Sequence, residues 1–336
     1  MMKKIKIAQI GTSLNSHGQG IFETLKKQSD IFDIVGYALP ENEREKFPGR
    51  MDVFEGIREM TVDEILNDEQ IDAVAVETEE IYLVKYAIMA AQHKKHIHME
   101  KPGGTDLAEF EKLVSLVKEN NLIFHIGYMY RYNPFLFELI EQVKRGELGE
   151  IISVEAQMNC HHPVELRNWL KTFKGGMMFF LGCHLIDLIL KIQGTPQRII
   201  PLNKCSGLNS EGEDFGMALF EYKNGVSFAK TTAIELGGFA RRQIVVTGSK
   251  KTVEIKPLEM YSNPEGSSTL YTDKTEYIKP GWLEYGNKSR SEIFERYDTM
   301  MASFAKMIRG EMENTNTPDY ELELYKTVLK CCGITE

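Results

Sequence analysis

A lysine stands where a short apolar stretch of the sequence ends at Met99. It is the central residue of the tripeptide Glu100-Lys101-Pro102, which two glycines follow. Pro102 favours an extended backbone at Lys101 and opposes the start of a helix there. Open α/β sheets bind ligands at the carboxyl ends of their strands, where this lysine is predicted to lie. From the tripeptide alone, an active-site lysine and a solvated lysine in a turn are both open interpretations.

A histidine and an acid share a second segment, an apolar stretch over residues 176–192 that is predicted to be helical. The spacing of three between His184 and Asp187 places both on one helix face, together with Phe180 and Lys191. An imidazole titrates near neutral pH and is suited to general acid–base catalysis. A histidine in an apolar helix is more often structural, although an acid one turn away leaves the catalytic interpretation open. The shared face also predicts that Phe180 points toward the same pocket.

The cysteines bear on metal binding and on the cellular compartment. Cys160, His161 and His162 suggest a metal site with His184 or Asp187, but their spacing matches no standard zinc arrangement, so we predict no metal. The five cysteines are odd in number and form no Cys-x-x-Cys pair, which is typical of a reducing, cytoplasmic compartment.

The overall composition excludes several classes of partner. The net charge of −9 disfavours nucleic acid and anionic membrane surfaces, both of which bind basic patches. No apolar run reaches the length of a membrane span. The initial Met-Met-Lys-Lys is followed by a strand pattern ending at Gly11, so no signal peptide is expected. A chain of 336 residues is expected to form two domains.

The first part of the chain alternates between strand and helix patterns. Strands are predicted over 4–10, 32–38, 73–76, 96–99 and 122–126, and helices over 18–28, 63–66, 80–93 and 105–120. This rhythm is typical of a parallel sheet covered by helices on both faces. The prediction is therefore an α/β domain over residues 1–128.

The turn after the first strand is an irregular version of a dinucleotide-binding turn. Gly11 suits the tight turn, but Ser13 replaces the glycine that lets the backbone approach a pyrophosphate. Thr12, Ser13 and Ser16 could bind phosphates beside the helix N-terminus, or the loop could simply cap the helix. Leu39 occupies the position of the acid that usually holds the ribose, so the sequence does not settle NAD against NADP.

The second part of the chain, residues 129–336, is predicted to be α+β. A helix over 135–144 is followed by a strand over 151–159, and alternating patterns later predict strands. These are 198–203, 215–222, 226–234, 242–247 and 252–255, with hairpin signals at Asn224-Gly225 and at 248–250. Loops are expected over 263–268 and 281–289, the latter reaching toward a pocket, and closing helices near 291–309 and 319–330. Trp169 is assigned to the core.

An ordered set of motifs now points to a family. The set comprises Gly11, Thr78, Glu100-Lys101-Pro102, Arg131-Tyr132-Asn133-Pro134, Gly175-Gly176, Gly182-x-His184-x-x-Asp187 and Gly194-Thr195-Pro196. It resembles the Gfo/Idh/MocA oxidoreductases, such as glucose–fructose oxidoreductase and inositol dehydrogenase. The resemblance implies an N-terminal Rossmann domain that binds NAD or NADP, with NAD favoured. It also implies a C-terminal α+β domain with an open, mostly antiparallel sheet, through which homodimers or homotetramers form.

The resemblance also implies roles for individual residues. The predicted catalytic residues are Lys101, His184 and Asp187. The predicted cofactor-binding residues are Gly11, Thr12, Ser13, Thr78, Glu100, Lys101 and Arg131, although a salt-bridge role for Arg131 is slightly favoured. The predicted substrate-binding residues are Tyr130, Asn159, His161 and His184. The implied activity is NAD(P)-dependent oxidation of a hydroxyl-bearing carbon in a sugar, cyclitol or glycoside, a small polyhydroxy substrate.

One departure from the family pattern leaves other functions open. Phe180 stands where the family usually has an acid four residues before the histidine. A bound cofactor could instead serve glycoside cleavage by oxidation and elimination. A third possibility is a nucleotide-binding regulatory protein that has lost the chemistry.

Overall fold

The computed structural model describes residues 3–262, 266–274 and 286–334. Its backbone divides into two units. The first contains the chain up to Met129 together with Tyr297–Tyr325, and the second contains Tyr130–Arg296 and the residues from Lys326 onward. Compared with the predicted division at residue 128, Met129 and Tyr297–Tyr325 belong to the first unit instead of the second.

The first unit is built on a parallel sheet. Its strands, within the described residues, are β1 (Ile5–Ile10), β2 (Phe32–Ala38), β3 (Ala73–Val76), β4 (His96–Met99) and β5 (Phe124–Ile126), in the spatial order β2-β1-β3-β4-β5. All pairs of neighbouring strands run parallel. The helices between them are α1 (Gly18–Lys27), α2 (Glu43–Lys46), α3 (Val62–Asn67), α4 (Leu83–Gln92) and α5 (Leu107–Glu119). The predicted Rossmann sheet is confirmed.

Helix α4 begins three residues later than predicted. At the start of the predicted helix over 80–93, the apolar residue Ile81 is 42% exposed while the side chain of Glu80 is buried. Tyr82 closes a turn onto the carbonyl of Glu79 before the helix starts. The segment between β3 and α4 is therefore a loop that turns acidic side chains inward.

A later segment of the chain completes the first unit. Helix α9 (Asp298–Ile308) contacts α1 through Asp298, whose carboxylate lies 2.6 Å from the ammonium of Lys27. The ring of Phe304 stacks on His125 of β5 at 5.3 Å. These contacts explain why Tyr297–Tyr325 belongs to the first unit. Helix α10 (Pro318–Cys331) follows.

The second unit is built on a mixed sheet that is mostly antiparallel. Within the described residues its strand order is β15-β14-β11-β10-β6-β9-β8-β7, and β6–β9 is its parallel pair. The strands are β6 (Ile151–Asn159), β7 (Arg198–Pro201), β8 (Phe215–Tyr222), β9 (Gly225–Thr232), β10 (Gln243–Gly248), β11 (Thr252–Ile255), β14 (Leu270–Lys274) and β15 (Asn287–Arg290); β12 (Met260–Ser262) pairs with β13 (Gly266–Ser268). The helices are α6 (Pro134–Lys144), α7 (Val164–Trp169) and α8 (Cys183–Gln193). The predicted α+β fold of the second domain, with its mostly antiparallel sheet, is confirmed.

The predicted hairpin between β8 and β9 exists, with a different turn. Tyr222 pairs with Gly225, so the loop consists of Lys223 and Asn224 rather than Asn224 and Gly225. A side chain at Gly225 would overlap the carbonyl oxygen of Ile152. The glycine is therefore required by close strand packing rather than by the turn.

Two further predictions differ in detail. The helix predicted over 176–192 consists of a π-helical turn, Met178–Gly182, that leads into α8. The loops predicted over 263–268 and 281–289 lie partly outside the described residues, and their described ends belong to β13 and β15. In the described part of the chain, no helix is long and apolar enough to cross a membrane.

Candidate functional site

The turn after β1 is packed tightly against the end of β3. Gly11 has φ +91°, and a Cβ atom there would lie 2.6 Å from the backbone nitrogen of Thr78, so only glycine fits. The next amide, of Thr12, donates to Glu43 Oε2 at 2.8 Å, and the amide of Ser13 donates to the carbonyl of Glu77 at 2.9 Å. The hydroxyl of Thr12 is buried and has no hydrogen-bond partner in the described structure. The turn therefore presents an unused polar atom at the carboxyl end of the sheet.

Glu43 is an acid that the sequence analysis missed. It is fully buried in α2, and burial, opposed in part by the amide of Thr12, raises the pKa of its carboxyl to about 7. Its second oxygen, Oε1, is buried without a hydrogen-bond partner among the described residues. The sequence signal for such a residue is an acid a few residues after β2, and this description also fits Glu41. Glu41 instead accepts from Lys85 at 2.6 Å.

The two cations that follow β2 are already paired with carboxylates. The guanidinium of Arg44 forms a salt bridge with Glu59. The ammonium of Lys46 lies 2.8 Å from Glu79. The chain after β2 therefore presents the buried carboxyl group of Glu43, while Arg44 and Lys46 are paired with other acids.

Lys101 is buried beyond the end of β4, with an exposed fraction of 1%. Its ammonium lies 3.9 Å from Glu100 Oε1. The other oxygen of Glu100 accepts from the backbone amide of His17 at 3.0 Å and contacts its ring Nδ1 at 2.8 Å. Burial opposes ionisation of Glu100, but His17 and Lys101 outweigh it and hold its pKa below the ordinary value. Glu100 is therefore an anion that connects the lysine to a partly exposed histidine.

Two more buried acids surround the lysine. Burial, reinforced by Glu100, raises the pKa of Glu77 well above its ordinary value, and Lys101 opposes this shift. Burial also raises the pKa of Glu80 to about 7, again against the influence of Lys101. Both oxygens of Glu80 are buried without hydrogen-bond partners in the described part of the molecule. The buried ammonium of Lys101 is tolerated because the ionised carboxylate of Glu100 lies beside it.

A pair of buried histidines lies behind this cluster. The Nδ1 atoms of His98 and His125 are 2.8 Å apart, so one ring donates and the other accepts. Burial lowers the pKa of His98 to about 4, which keeps its ring neutral at neutral pH. His125 stacks on Phe304, and we assign this pair to the packing of α9 rather than to chemistry.

The second unit brings together Tyr130, Arg131, His184 and Asp187. His184 is 2% exposed at the start of α8, and the edge of its ring faces that of Tyr130 at 5.2 Å. Asp187 forms a buried bidentate pair with Arg131, with Nε–Oδ2 at 2.9 Å and Nη2–Oδ1 at 2.8 Å. This pair favours the salt-bridge interpretation of Arg131 over its predicted role as a phosphate contact. Arg131 therefore anchors α8, the helix that carries both Asp187 and His184.

Phe180 packs in an apolar cluster. Its ring lies 5.3 Å from that of Trp169 and contacts the cluster formed by Cys160, Leu170 and Met177. The core assignment of Trp169 is consistent with this packing. An acid in place of Phe180 would lose its hydration in this cluster. The apolar neighbours therefore suit the phenylalanine that stands where the family usually has an acid.

The predicted substrate residues after β6 differ in burial. Asn159 is fully buried, and its Oδ1 has no hydrogen-bond partner in the described structure. His161 is exposed and forms an isolated bridge with Ile234. The neighbouring His162 was considered only as a metal ligand, yet its Nε2 is buried and unpartnered among the described residues. Of the two predicted candidates, Asn159 is therefore the better placed for a buried ligand.

The residues of the first unit fit a nicotinamide dinucleotide. The turn at Gly11 leaves the buried hydroxyl of Thr12 available as a hydrogen-bonding group for a phosphate or a hydroxyl. The unused Oε1 of Glu43 can accept from a ribose hydroxyl, which is the role of the acid after the second strand in dinucleotide folds. Buried polar atoms rarely remain unpaired without a ligand or water, so these two atoms support the fit.

Comparison with known proteins gives the same assignment for both units. Residues 5–128 match the model of the oxidoreductase family with an NAD-binding Rossmann fold. Residues 138–254 match the model of the GFO/IDH/MocA C-terminal domain. The two matches cover most of the described chain in the order that the motifs predict.

Individual relatives are distant. The uncharacterized oxidoreductase YhhX of Escherichia coli is 30% identical over 139 residues, which are 41% of this chain and 40% of that protein. The scyllo-inositol 2-dehydrogenase (NADP(+)) IolW of Bacillus subtilis is 25% identical over 179 residues, 53% of this chain and 48% of that protein. The match thus spans about half or less of these relatives. The crystal structure of the WlbA dehydrogenase of Bordetella pertussis, in complex with NADH and UDP-GlcNAcA, shares the fold with a TM-score of 0.77 at 17% identity, covering 98% of this chain and 96% of that one.

Proposed function

The chain belongs to the Gfo/Idh/MocA oxidoreductase family, and on this basis we propose that it oxidises a hydroxyl-bearing carbon of a sugar-like substrate with a nicotinamide dinucleotide. The observation that carries the proposal is Lys101, a fully buried ammonium at the carboxyl end of β4 among three buried carboxylates. A protein maintains such a costly group most readily where it acts on a ligand. The names of IolW and WlbA support a substrate of the sugar or cyclitol class.

The proposed chemistry assigns a proton step to His184 and a charge-stabilising step to Lys101. When bound, the dinucleotide supplies the acceptor for the hydride that leaves the substrate carbon. The imidazole of His184 takes the proton of the substrate hydroxyl as general base. The ammonium of Lys101 donates a hydrogen bond to a substrate oxygen and stabilises the negative charge that develops on the substrate during oxidation.

Two acids, Asp187 and Glu100, hold the reacting groups in place. The Asp187–Arg131 pair fixes the first turns of α8, which carry His184. Glu100 fixes the backbone after β4, because its carboxylate accepts from the amide of Lys101 at 2.9 Å. Both acids act through the residue beside them, and we propose them as positioning groups.

For the cofactor, we propose NAD rather than NADP. The carboxylate of Glu43 would accept from the ribose hydroxyls of NAD and would repel a 2′-phosphate. The cations Arg44 and Lys46, which could have held that phosphate, are paired with Glu59 and Glu79. The name of IolW indicates NADP in that relative, so this choice is specific to the residues of this chain.

The lysine is tested by two substitutions at Lys101. We expect Lys101→Met to abolish turnover and to lower stability, because the surrounding carboxylates lose their counter-charge. Lys101→Arg keeps that charge and is expected to fold, while losing about 100-fold or more in kcat because the guanidinium is misplaced. The measurement is NADH formation with a panel of sugars and cyclitols, alongside NADH binding by fluorescence. Full turnover in a folded Lys101→Arg or Lys101→Met protein would remove the lysine from the mechanism.

We also propose a cytoplasmic location and a homodimer or homotetramer formed through the sheet of the second unit. All five cysteines are free thiols, as is typical of a reducing compartment. The large sheet has a partly exposed face, as in Val226, which is 51% exposed on β9. The molar mass in solution, measured by light scattering, tests the assembly.

A further inference from the structure

Arg242 is a buried arginine in the second unit, with an exposed fraction of 7%. Its guanidinium lies over the ring of Phe239, 4.0 Å from the ring centroid. Its Nε donates to the carbonyl oxygen of Asn159 at 3.3 Å, and its Nη1 donates to the hydroxyl of Tyr130 at 3.4 Å. These partners are neutral, so they orient the guanidinium without balancing its charge.

The carboxylate of Glu259, which Tyr130 connects to Arg242, is already neutralised. Glu259 is reached through Tyr130, whose hydroxyl donates to Glu259 Oε2 at 3.1 Å. That carboxylate also accepts two hydrogen bonds from Arg296, at 2.7 Å and 2.5 Å. Among the described residues, no carboxylate forms a salt bridge with Arg242. Arg242 and Arg296 carry two positive charges against the one negative charge of Glu259. One positive charge is therefore left unbalanced beside buried Arg242.

The other groups that face Arg242 carry no negative charge. Burial raises the pKa of the Cys160 thiol to about 11, so this neighbour stays protonated. Burial, reinforced by Arg242, lowers the pKa of His162 to about 4, so this ring stays neutral. Burial and Glu259 raise the pKa of Tyr130, which keeps its hydroxyl protonated.

Unused hydrogen-bonding atoms belong to two residues that interact with Arg242, namely Asn159 and His162. In the described structure, Asn159 Oδ1 and His162 Nε2 are buried without partners. The ring of Tyr130, which Arg242 contacts through its hydroxyl, meets His184 edge-on at 5.2 Å. Tyr130 therefore connects the guanidinium of Arg242 to the proposed general base.

We propose that Arg242 binds an oxyanion of the substrate, so that the substrate is an acidic sugar derivative rather than a neutral polyol. This inference rests on the proposed function, because it places the anion next to His184. A buried cation without a carboxylate is stabilised when a ligand supplies the opposite charge. The guanidinium suits a carboxylate or a phosphate equally, since both present two oxygens to its planar donors. Asn159 Oδ1 then accepts from a hydroxyl of the same sugar.

The test measures binding rather than turnover. D-glucuronate, D-glucose 6-phosphate and D-glucose are titrated calorimetrically into the wild-type protein and into Arg242→Gln, Arg242→Lys and Arg241→Gln. The matched control is Arg241, the neighbouring residue, which is exposed and paired with Glu235. NADH binding and thermal unfolding of each variant show whether the first unit and the fold are intact.

We expect one of the two acids to bind the wild-type protein about tenfold or more tightly than D-glucose. Preference for glucuronate identifies a carboxylate, and preference for the phosphate ester identifies a phosphate. Arg242→Gln should remove the preference, Arg242→Lys should retain part of it, and Arg241→Gln should leave it unchanged. The proposal is wrong if neither acid is preferred, or if folded Arg242→Gln keeps the preference. Failure of the wild-type protein to bind NADH would instead contradict the proposed function.

Discussion

At the scale of single residues, the molecule is distinguished by buried acids around one lysine. Glu77, Glu80 and Glu100 all interact electrostatically with Lys101, and their pKa values move in different directions. Glu100 stays charged because His17 binds it. The carboxyl group of Glu80 has no such partner among the described residues, so its ionisation destabilises the fold.

We predict that Glu80 makes the protein less stable as pH rises. Its pKa is about 7 in the folded protein against an ordinary value of 4.5, so the folded state binds the proton more tightly than the unfolded state. The contribution to stability is fully present below the unfolded pKa and is lost as pH rises through about 7. Glu80→Gln should therefore raise the free energy of unfolding by about 2 kcal/mol at about pH 8 and change it little near pH 5.

Denaturant unfolding of both proteins at a series of pH values measures this effect. The matched control is Glu69→Gln, because Glu69 is an exposed acid in the same unit. If Glu80→Gln and the wild-type protein lose stability in parallel between about pH 5 and pH 8, the ionisation of Glu80 is not responsible.

At the scale of elements, the position of His184 depends on how α8 is anchored. Asp187, one turn after the histidine, forms a buried bidentate pair with Arg131. Removing one member of such a pair leaves an uncompensated buried charge and costs about 3–5 kcal/mol, whereas replacing both by apolar residues is often tolerated.

We predict that stability and activity respond differently to these substitutions. Arg131→Met and Asp187→Leu alone should each unfold at much lower denaturant concentration, and the double variant should recover most of the loss. If Asp187 positions the histidine, kcat stays low in the double variant although the fold is restored. Recovery of kcat together with stability would limit the pair to a structural role. Parallel unfolding and turnover measurements on the single and double variants separate these outcomes.

At the scale of the whole molecule, local patterns predicted the fold better than the site. The parallel sheet followed from strand and helix periodicity, and Lys101 followed from its place after a strand. Glu43 could not be predicted as a site residue because its partner, Thr12, lies 31 residues earlier in the chain. The same holds for Arg242, because its partner Tyr130 lies 112 residues away in the chain. Contacts over such separations depend on the folded topology and leave no periodic signal in the sequence.

The family assignment also changes the weight of the alternatives. An oxidation–elimination enzyme would bind the cofactor and turn over substrate without accumulating NADH, so the stoichiometry of NADH release distinguishes it from a dehydrogenase. A regulatory protein would bind the cofactor and show no turnover with any sugar. All of these functions require the first unit to bind a nicotinamide dinucleotide, which makes that binding the central claim.

The most direct test is a fluorescence titration of the wild-type protein, Glu43→Gln and the exposed control Glu45→Gln with NADH and NADPH. We predict that the wild-type protein binds NADH about tenfold or more tightly than NADPH. Its affinity for NADH should rise between about pH 6 and pH 8, because the Glu43 carboxyl loses its proton near its pKa of about 7. Glu43→Gln should reduce both the preference and the pH dependence, while Glu45→Gln leaves them unchanged. Failure of the wild-type protein to bind either dinucleotide would contradict the account.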